Sequence, residues 1–121
     1  MGRIPIETLD DNVAAKMNAL VGRGAPRDFV DVKAVVDAGL VSPARCWELW
    51  LAKNPGRNVD EGHLAVRNWL AGLVARMPLE RLPLERRPAA EALRTWYRDV
   101  FTHARPRDAG EGRREGEEPG Q

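Results

Sequence analysis

The sequence predicts an all-α fold, a small bundle of about five helices with an extended N-terminal arm and a disordered C-terminal tail. Apolar residues recur at helical spacing in successive segments, and glycines and prolines separate those segments. A chain of 121 residues, 43% of them hydrophobic, suits one small domain with its own core. We therefore expect an arm over residues 1–7, a helical domain over residues 8–104 and a tail over residues 105–121.

The N-terminal arm leads directly into the first helix. Ile4 precedes a proline, which disfavours helical geometry and favours an extended segment. Thr8 or Asp10 can then cap the first helix through a side-chain oxygen. The helix should end at residues 22–24, where two glycines occur.

The second and third helices are delimited by strong capping signals. The second should span about residues 26–38 and end at Gly39. Ser42 can cap a third helix that begins at Pro43, since proline is favoured in the first turn. The third helix should end at the Asn-Pro-Gly turn of residues 54–56. Its apolar face is predicted to contain Trp47, Trp50 and Leu51.

A fourth helix over about residues 60–76 and a fifth beginning near Pro88 complete the domain. Residues 77–88 hold three prolines and should form a connector with at most one short helical turn. His63 has no second histidine or cysteine at metal-ligand spacing, which predicts a surface or capping residue. The predicted apolar stripes are Leu64, Trp69, Leu70, Leu73, Val74 and Met77 in the fourth helix, and Leu93, Trp96, Tyr97, Val100 and Phe101 in the fifth.

Composition limits the class of partner and the compartment. The chain has 19 basic and 18 acidic residues, so its composition does not indicate a polycationic surface for binding nucleic acid. The single cysteine, Cys46, excludes an intramolecular disulfide and fits a reducing cytosol. Because it lies beside Trp47 in an amphipathic helix, we expect it to be a small core residue. No apolar run approaches the roughly 20 residues of a spanning helix, and the N-terminus lacks an apolar signal core. We expect a cytoplasmic protein without membrane contact.

Charged side chains occupy helix positions where apolar residues are expected. On a helical wheel Lys16 borders the centre of the first helix's apolar stripe, Asp28 falls between two valines on the second helix, and Asp31 lies one step outside. Such charges are costly unless they meet each other, a ligand or a water-filled cleft, which favours a site. The alternative is structural: Lys16 extends to solvent along its aliphatic stem, and Asp28 is stabilised by the helix dipole in a first turn.

The segment between these two helices, residues 22–27, has phosphate-binding character. It combines a flexible glycine backbone, the guanidinium groups of Arg23 and Arg27, and the start of a helix. It lacks the Gly-Lys-Ser/Thr ending of a P-loop. A plain helix-to-helix turn is the alternative interpretation.

A longer pattern runs through both helices of this hairpin: Leu9-x-x-Asn12-x-x-Ala15-Lys16-Met17-x-Ala19-Leu20, followed by Arg27-Asp28-Phe29-Val30-Asp31-Val32. It resembles the distal half of the nucleotidyltransferases related to the AbiEii toxin, which belong to type IV toxin–antitoxin and phage-defence systems. In that family this half carries a lysine motif and then an Arg-Asp-x-x-Asp motif. The resemblance spans Ile4 to about His103 and includes the run Cys46-Trp47-Glu48-Leu49-Trp50.

The resemblance implies a nucleotide-phosphate site with a catalytic half retained in this chain. Lys16 would contact a triphosphate oxygen, and Arg23 or Arg27 would clamp another. Asp28 or Asp31 would orient the lysine or accept a proton from an attacking hydroxyl, and the sequence does not say which.

Complete family enzymes also bind Mg²⁺ and a nucleoside triphosphate through an upstream Gly-Gly/Ser signature and an Asp-x-Asp-like pair. This sequence has no Asp-x-Asp or Asp-x-Glu before its tail. The resemblance therefore implies a piece of that enzyme, and we expect no metal ligands, no cofactor and no turnover for this chain alone.

Three hypotheses follow for the function. The first is a truncated or split nucleotidyltransferase toxin-like protein, whose partners would be a missing N-terminal catalytic half or a cognate antitoxin, with tRNA or protein as the family's acceptor. The second is a helical protein-interaction module without catalysis. The third is an unrelated helical bundle. The first predicts self-association, because a face that normally meets the N-terminal catalytic half would be exposed.

Overall fold

The computed structural model describes residues 6–106, with side chains described from residue 9. Within that range the chain is all-α, as predicted, and it contains no strand. Three 3₁₀ turns accompany the helices, at Leu79–Arg81, Leu84–Arg86 and Phe101–His103. The helices are α1 (Ile6–Gly22), α2 (Pro26–Asp37), α3 (Pro43–Lys53), α4 (Val59–Arg76) and α5 (Arg87–Asp99).

Most helix ends lie where the capping residues predicted them. Ser42 accepts a hydrogen bond from the Arg45 backbone N–H at 3.0 Å and starts α3. Gly39 follows α2 with φ +77°, and the N–H groups of residues 39 and 40 bond back to the last turn, which is a Schellman ending. The connector forms two 3₁₀ turns, where at most one helical turn was expected.

The beginning of α1 differs from the prediction. The helix starts at Ile6, so the extended arm does not reach residue 7, and Thr8 and Asp10 lie inside the helix instead of capping it. Apolar burial of the following turns favours helix over the local effect of Pro5, which restricts only its preceding residue. The rest of the predicted arm, residues 1–5, and the predicted tail from residue 107 lie outside the described residues.

The core is organised around α1 and the aromatic residues of α3 and α5. Helix α1 packs against α2, α3 and α4. Trp47 is fully buried, and its indole N–H donates to the Phe101 carbonyl at 3.0 Å, which closes the C-terminal turn onto α3. The Tyr97 hydroxyl donates to the Phe29 carbonyl and its ring packs edge-to-face on Phe29, so α5 is held against α2.

The buried face of α4 is not the predicted stripe. Four of the predicted residues lie at the surface, with Leu64 58% exposed, and only Leu70 and Leu73 are buried as expected. Gly62 sets the orientation of α4 against the core, because a Cβ at this position would lie 2.4 Å from the Trp47 ring. The exposed members are Leu64, Trp69, Val74 and Met77, and the buried face consists of Val59, Gly62, His63, Val66, Leu70 and Leu73.

His63 and Val100 also depart from prediction. His63 is buried, and does not lie at the surface: its Nε2 is 2.8 Å from the Ala104 carbonyl, and its ring meets Trp47 edge-on at 4.9 Å. Val100 is 45% exposed, because α5 ends at Asp99 and the 3₁₀ turn directs Phe101 into the core instead.

Cys46 is a core residue, as predicted. It is fully buried, and the loss of hydration raises the pKa of its thiol to about 12. The thiol is therefore protonated at neutral pH and has little nucleophilic character. In the described part of the chain, none of the helices is both long and apolar enough to cross a bilayer.

Candidate functional site

The hairpin turn between α1 and α2 is built by backbone hydrogen bonds and one left-handed glycine. The Ala19 carbonyl accepts from the N–H groups of Arg23 at 2.8 Å and Gly24 at 3.0 Å. Gly24 has φ +59°, a conformation that favours glycine. Ala25 is extended and Pro26 opens α2, so the chain reverses direction within four residues of the end of α1.

Trp69 of α4 holds this turn from outside the hairpin. Its indole N–H donates to the Val21 carbonyl at 2.8 Å. A Cβ on Gly24 would lie 2.2 Å from the Trp69 ring, so the ring rests directly against the glycine. The turn is thus fixed both by its own hydrogen bonds and by a tryptophan distant in sequence.

Asp28 is the most fully bonded charged residue of the hairpin. It is 4% exposed, and its two carboxylate oxygens accept from Arg23 Nε at 3.0 Å and Arg23 Nη2 at 2.8 Å. It also accepts from the Ala25 backbone N–H at 2.9 Å, which caps the first turn of α2. The Arg23 guanidinium holds the pKa of the Asp28 carboxyl below its usual value, against the opposing effect of burial, and the Ala25 N–H adds to this.

A cavity of about 360 Å³ lies between the two helices of the hairpin. One side comes from α1 and the other from the turn and the first turns of α2. Charged, amide and small side chains make up the wall, and large apolar side chains do not contribute. The lining residues are Asn12, Ala15, Lys16, Ala19, Arg23, Arg27, Asp28 and Asp31.

All five residues selected from the sequence line this one cavity. Arg23 and Asp28 form an ion pair with each other. For Lys16, Arg27 and Asp31, no ion pair within 4.0 Å occurs with another described residue. The structure therefore brings the five together and divides them into a bonded pair and three side chains that face the cavity without an ionic partner in the described range.

Lys16 lies at the edge of the buried face, not beside its centre. The buried residues of α1 are Val13, Ala14, Met17, Leu20 and Val21. Their centre is rotated by about 100° from Lys16 on a helical wheel. Lys16 is half-buried at this edge and is one of the residues that line the cavity.

Sequence reasoning missed two contributions to the site. Asn12, Ala15 and Ala19 line the cavity beside Lys16, and their i, i+3 and i+7 spacing is the sequence signal that places them on one face of α1. Trp69 could not have been found, because its contact with the turn joins residues 48 positions apart in the chain.

The donor set does not fit the Mg²⁺ ion of the complete family enzymes. Among the described residues, no three His, Cys, Asp or Glu side chains come together in a way that could hold a metal ion. In the cavity, both oxygens of Asp28 are already engaged, which leaves Asp31 as a single carboxylate. Mg²⁺ is usually bound through one or two carboxylates together with substrate phosphates, and the carboxylate pair that the complete family enzymes use for this is not found among the described cavity residues.

Comparison with known proteins gives no relative. No protein-family model matches the chain, and no curated protein or solved structure is significantly similar to it. The fold and the site define a small helical bundle with a polar, cation-bearing cavity in its first hairpin. The family resemblance of the hairpin motifs stays a prediction.

Proposed function

We propose that the hairpin cavity binds the phosphate groups of a nucleotide, as one wall of a nucleotidyltransferase site in a truncated or split toxin-like protein of the AbiEii kind. The observation that supports this most is that Lys16, Arg23, Arg27, Asp28 and Asp31 line one cavity. All five lie within 16 consecutive positions of one helical hairpin, and the structure arranges them around a single space large enough for phosphate groups.

The charge balance of the cavity supports an anionic ligand. Three cations and two carboxylates line it, and the ion pair between Arg23 and Asp28 offsets one charge of each sign. The remaining positive charges, on Lys16 and Arg27, then outnumber the one remaining negative charge, on Asp31. Phosphate oxygens suit both cations, since lysine acts as a compact point charge and arginine as a fork of N–H donors.

The residues also suit the chemistry of nucleotidyl transfer, an in-line displacement at phosphorus that depends chiefly on positioning and on offsetting negative charge. Lys16 would stabilise charge on a non-bridging phosphate oxygen, and Arg27 would orient the remainder of the polyphosphate. A carboxylate of the hairpin would orient the attacking hydroxyl and accept its proton. The other wall of the site, with any metal ligands, would come from outside the described residues.

Calorimetric titration of the chain with nucleoside triphosphates tests the binding step. Lys16→Ala should weaken binding about tenfold, the equivalent of about 1.4 kcal/mol, because it removes a direct phosphate contact. Lys53→Ala is the matched control: Lys53 lies on α3, is 53% exposed and pairs with Asp11 at 3.6 Å. Equal affinities for the two variants and the wild type would refute a phosphate role for Lys16.

The second expectation concerns turnover. The purified chain should not transfer nucleotide from any labelled triphosphate to tRNA or protein, because the hairpin supplies no second free carboxylate for a metal-assisted displacement. Radiolabel incorporation measures this directly. Robust incorporation that is lost in Lys16→Ala would show that the site is complete as it stands.

A helical protein-interaction module is the second candidate, favoured by a shallow apolar groove of about 580 Å³ along α5. Trp96 and Val100 are among its lining residues, and Val100 is 45% exposed. Co-expression with the product of a neighbouring gene should then give a complex independent of nucleotide. Val100→Glu should disrupt it, whereas Leu84→Glu, at a 73% exposed position in the connector, should not.

A further inference from the structure

We infer that Asp28 is a positioning residue that turns Arg23 into a preorganised phosphate ligand, and that Asp31 is the carboxylate left to act on the reacting hydroxyl. This inference rests on the proposed phosphate-binding function. It assigns different roles to two aspartates that the motif alone does not distinguish.

The first step is the geometry of the ion pair. Asp28 engages Arg23 side-on, through Nε at 3.0 Å and Nη2 at 2.8 Å. Two parallel N–H···O bonds fix the plane of the guanidinium as well as its position. The Arg23 side chain is 64% exposed, yet its guanidinium is held by a carboxylate that is only 4% exposed.

The second step is what the pair leaves available. In the described part of the chain, the Nη1 group of Arg23 makes no hydrogen bond to the protein. Arg23 lines the cavity, and its Nη1 group is not occupied by a hydrogen bond to another described residue. A ligand that binds a side chain already ordered avoids the entropy cost of ordering it.

The third step excludes Asp28 as the proton acceptor. Its two oxygens accept three hydrogen bonds, from Arg23 twice and from the Ala25 N–H. Protonation would break part of this network, and the same bonds hold its pKa below the usual carboxyl value. A carboxylate with a depressed pKa is a weak general base at neutral pH.

The fourth step concerns Asp31, which lies three residues further along α2 and therefore on the next turn of the same face. It is half-buried and lines the cavity. It has neither a hydrogen bond nor an ion pair with any other side chain that the structure describes. Asp31 is thus the cavity carboxylate that can approach a ligand hydroxyl.

These roles give opposite outcomes for two similar substitutions. Asp31→Asn removes a negative charge from an anion-binding cavity and should strengthen phosphate binding about threefold. Asp28→Asn removes the same charge but releases Arg23 and the cap of α2, so binding should weaken about tenfold. A purely electrostatic role for Asp28 would strengthen binding in both variants.

The experiment is calorimetric titration of the full chain with inorganic pyrophosphate, for the wild type, Asp28→Asn, Asp31→Asn and Arg23→Lys. Arg23→Lys alters an exposed residue and keeps its positive charge but removes the paired N–H donors of the guanidinium, so it should weaken binding. This variant tests the inference even if Asp28→Asn folds poorly. Arg23→Gln should weaken binding in the wild type and have little further effect in the Asp28→Asn background. Stronger binding in both aspartate variants, or wild-type affinity in Arg23→Lys, overturns the inference.

A ligand-free readout separates this inference from the proposed function. The Arg23 Nε–H signal in ¹H–¹⁵N spectra should be protected from exchange in the wild type and lost in Asp28→Asn. If the wild type binds no pyrophosphate, the phosphate-binding function fails, and with it the ligand role of Arg23. If the wild type binds but the Arg23 signal is unchanged in Asp28→Asn, only the positioning role fails.

Discussion

At the scale of single residues, Asp28 shows how a buried charge is accommodated without a ligand. Its position between two valines on the wheel of α2 predicted burial, and the side chain is 4% exposed. The cost of burial is offset by a bidentate arginine and by a backbone N–H at the start of the helix. The structure therefore shows Asp28 as a cap of α2 and as the partner of Arg23, and its role in a binding site stays a prediction.

The ion pair predicts a pH dependence of stability. The folded-state pKa of Asp28 is lowered, so its contribution is present above the unfolded value and is lost as pH falls through the folded value. Arg23→Ala should raise the Asp28 pKa towards 3.8 and flatten the loss of stability in acid. Carbon-detected NMR titration and urea unfolding over a pH series measure the two effects. An unchanged Asp28 pKa in Arg23→Ala would contradict the assigned cause.

At the scale of elements, three glycines of the hairpin and α4 differ in what requires a glycine at their positions. Gly24 combines a positive φ with direct contact to Trp69, whereas a Cβ on Gly22 would meet nothing within 4 Å. Gly62 is a third case, since it lies within regular helix and is required only by the closeness of Trp47. The sequence shows glycines at all three positions but does not show which of them face a neighbouring tryptophan.

Substitution by alanine should separate these roles. Gly24→Ala should lower the free energy of unfolding by about 2–3 kcal/mol, because the new methyl group meets the Trp69 ring and the backbone is strained. Gly22→Ala, two residues earlier at the end of α1, should be neutral or stabilising by up to about 1 kcal/mol. Chemical denaturation followed by tryptophan fluorescence gives both values. Equal stability of the two variants would show that Trp69 does not restrain the turn.

At the scale of the whole molecule, local sequence signals predicted where the helices begin and end, whereas long-range packing determined which face of each helix is buried. Caps and glycines fixed the ends of α2 and α3 and the hairpin that forms the cavity. The buried face of α4 could not be predicted, because it depends on Trp47 and on the C-terminal turn at Phe101. The charged lining of the cavity, by contrast, could be predicted from the sequence. Its five charged residues lie within 16 consecutive positions, so the geometry of one hairpin brings them together.

The proposed function predicts self-association of the purified chain. The hairpin face would meet another domain in a complete enzyme, and Val30 on α2 is already 55% exposed. Light scattering over a concentration series should show a rising mean mass, and Val30→Ser should reduce it. A monomer at high concentration would argue against a missing covering domain.

Two-dimensional ¹H–¹⁵N NMR titration with a nucleoside triphosphate is the most direct test of the central claim, because it locates the ligand on the chain. We predict that the largest shifts occur in the backbone amides of residues 23–25, 27 and 28 and along the Lys16 face of α1, and that they vanish in Lys16→Ala but persist in Lys53→Ala. The largest shifts at another basic cavity, such as that formed by Arg67 and His103, would contradict it. So would the absence of any shift at the hairpin.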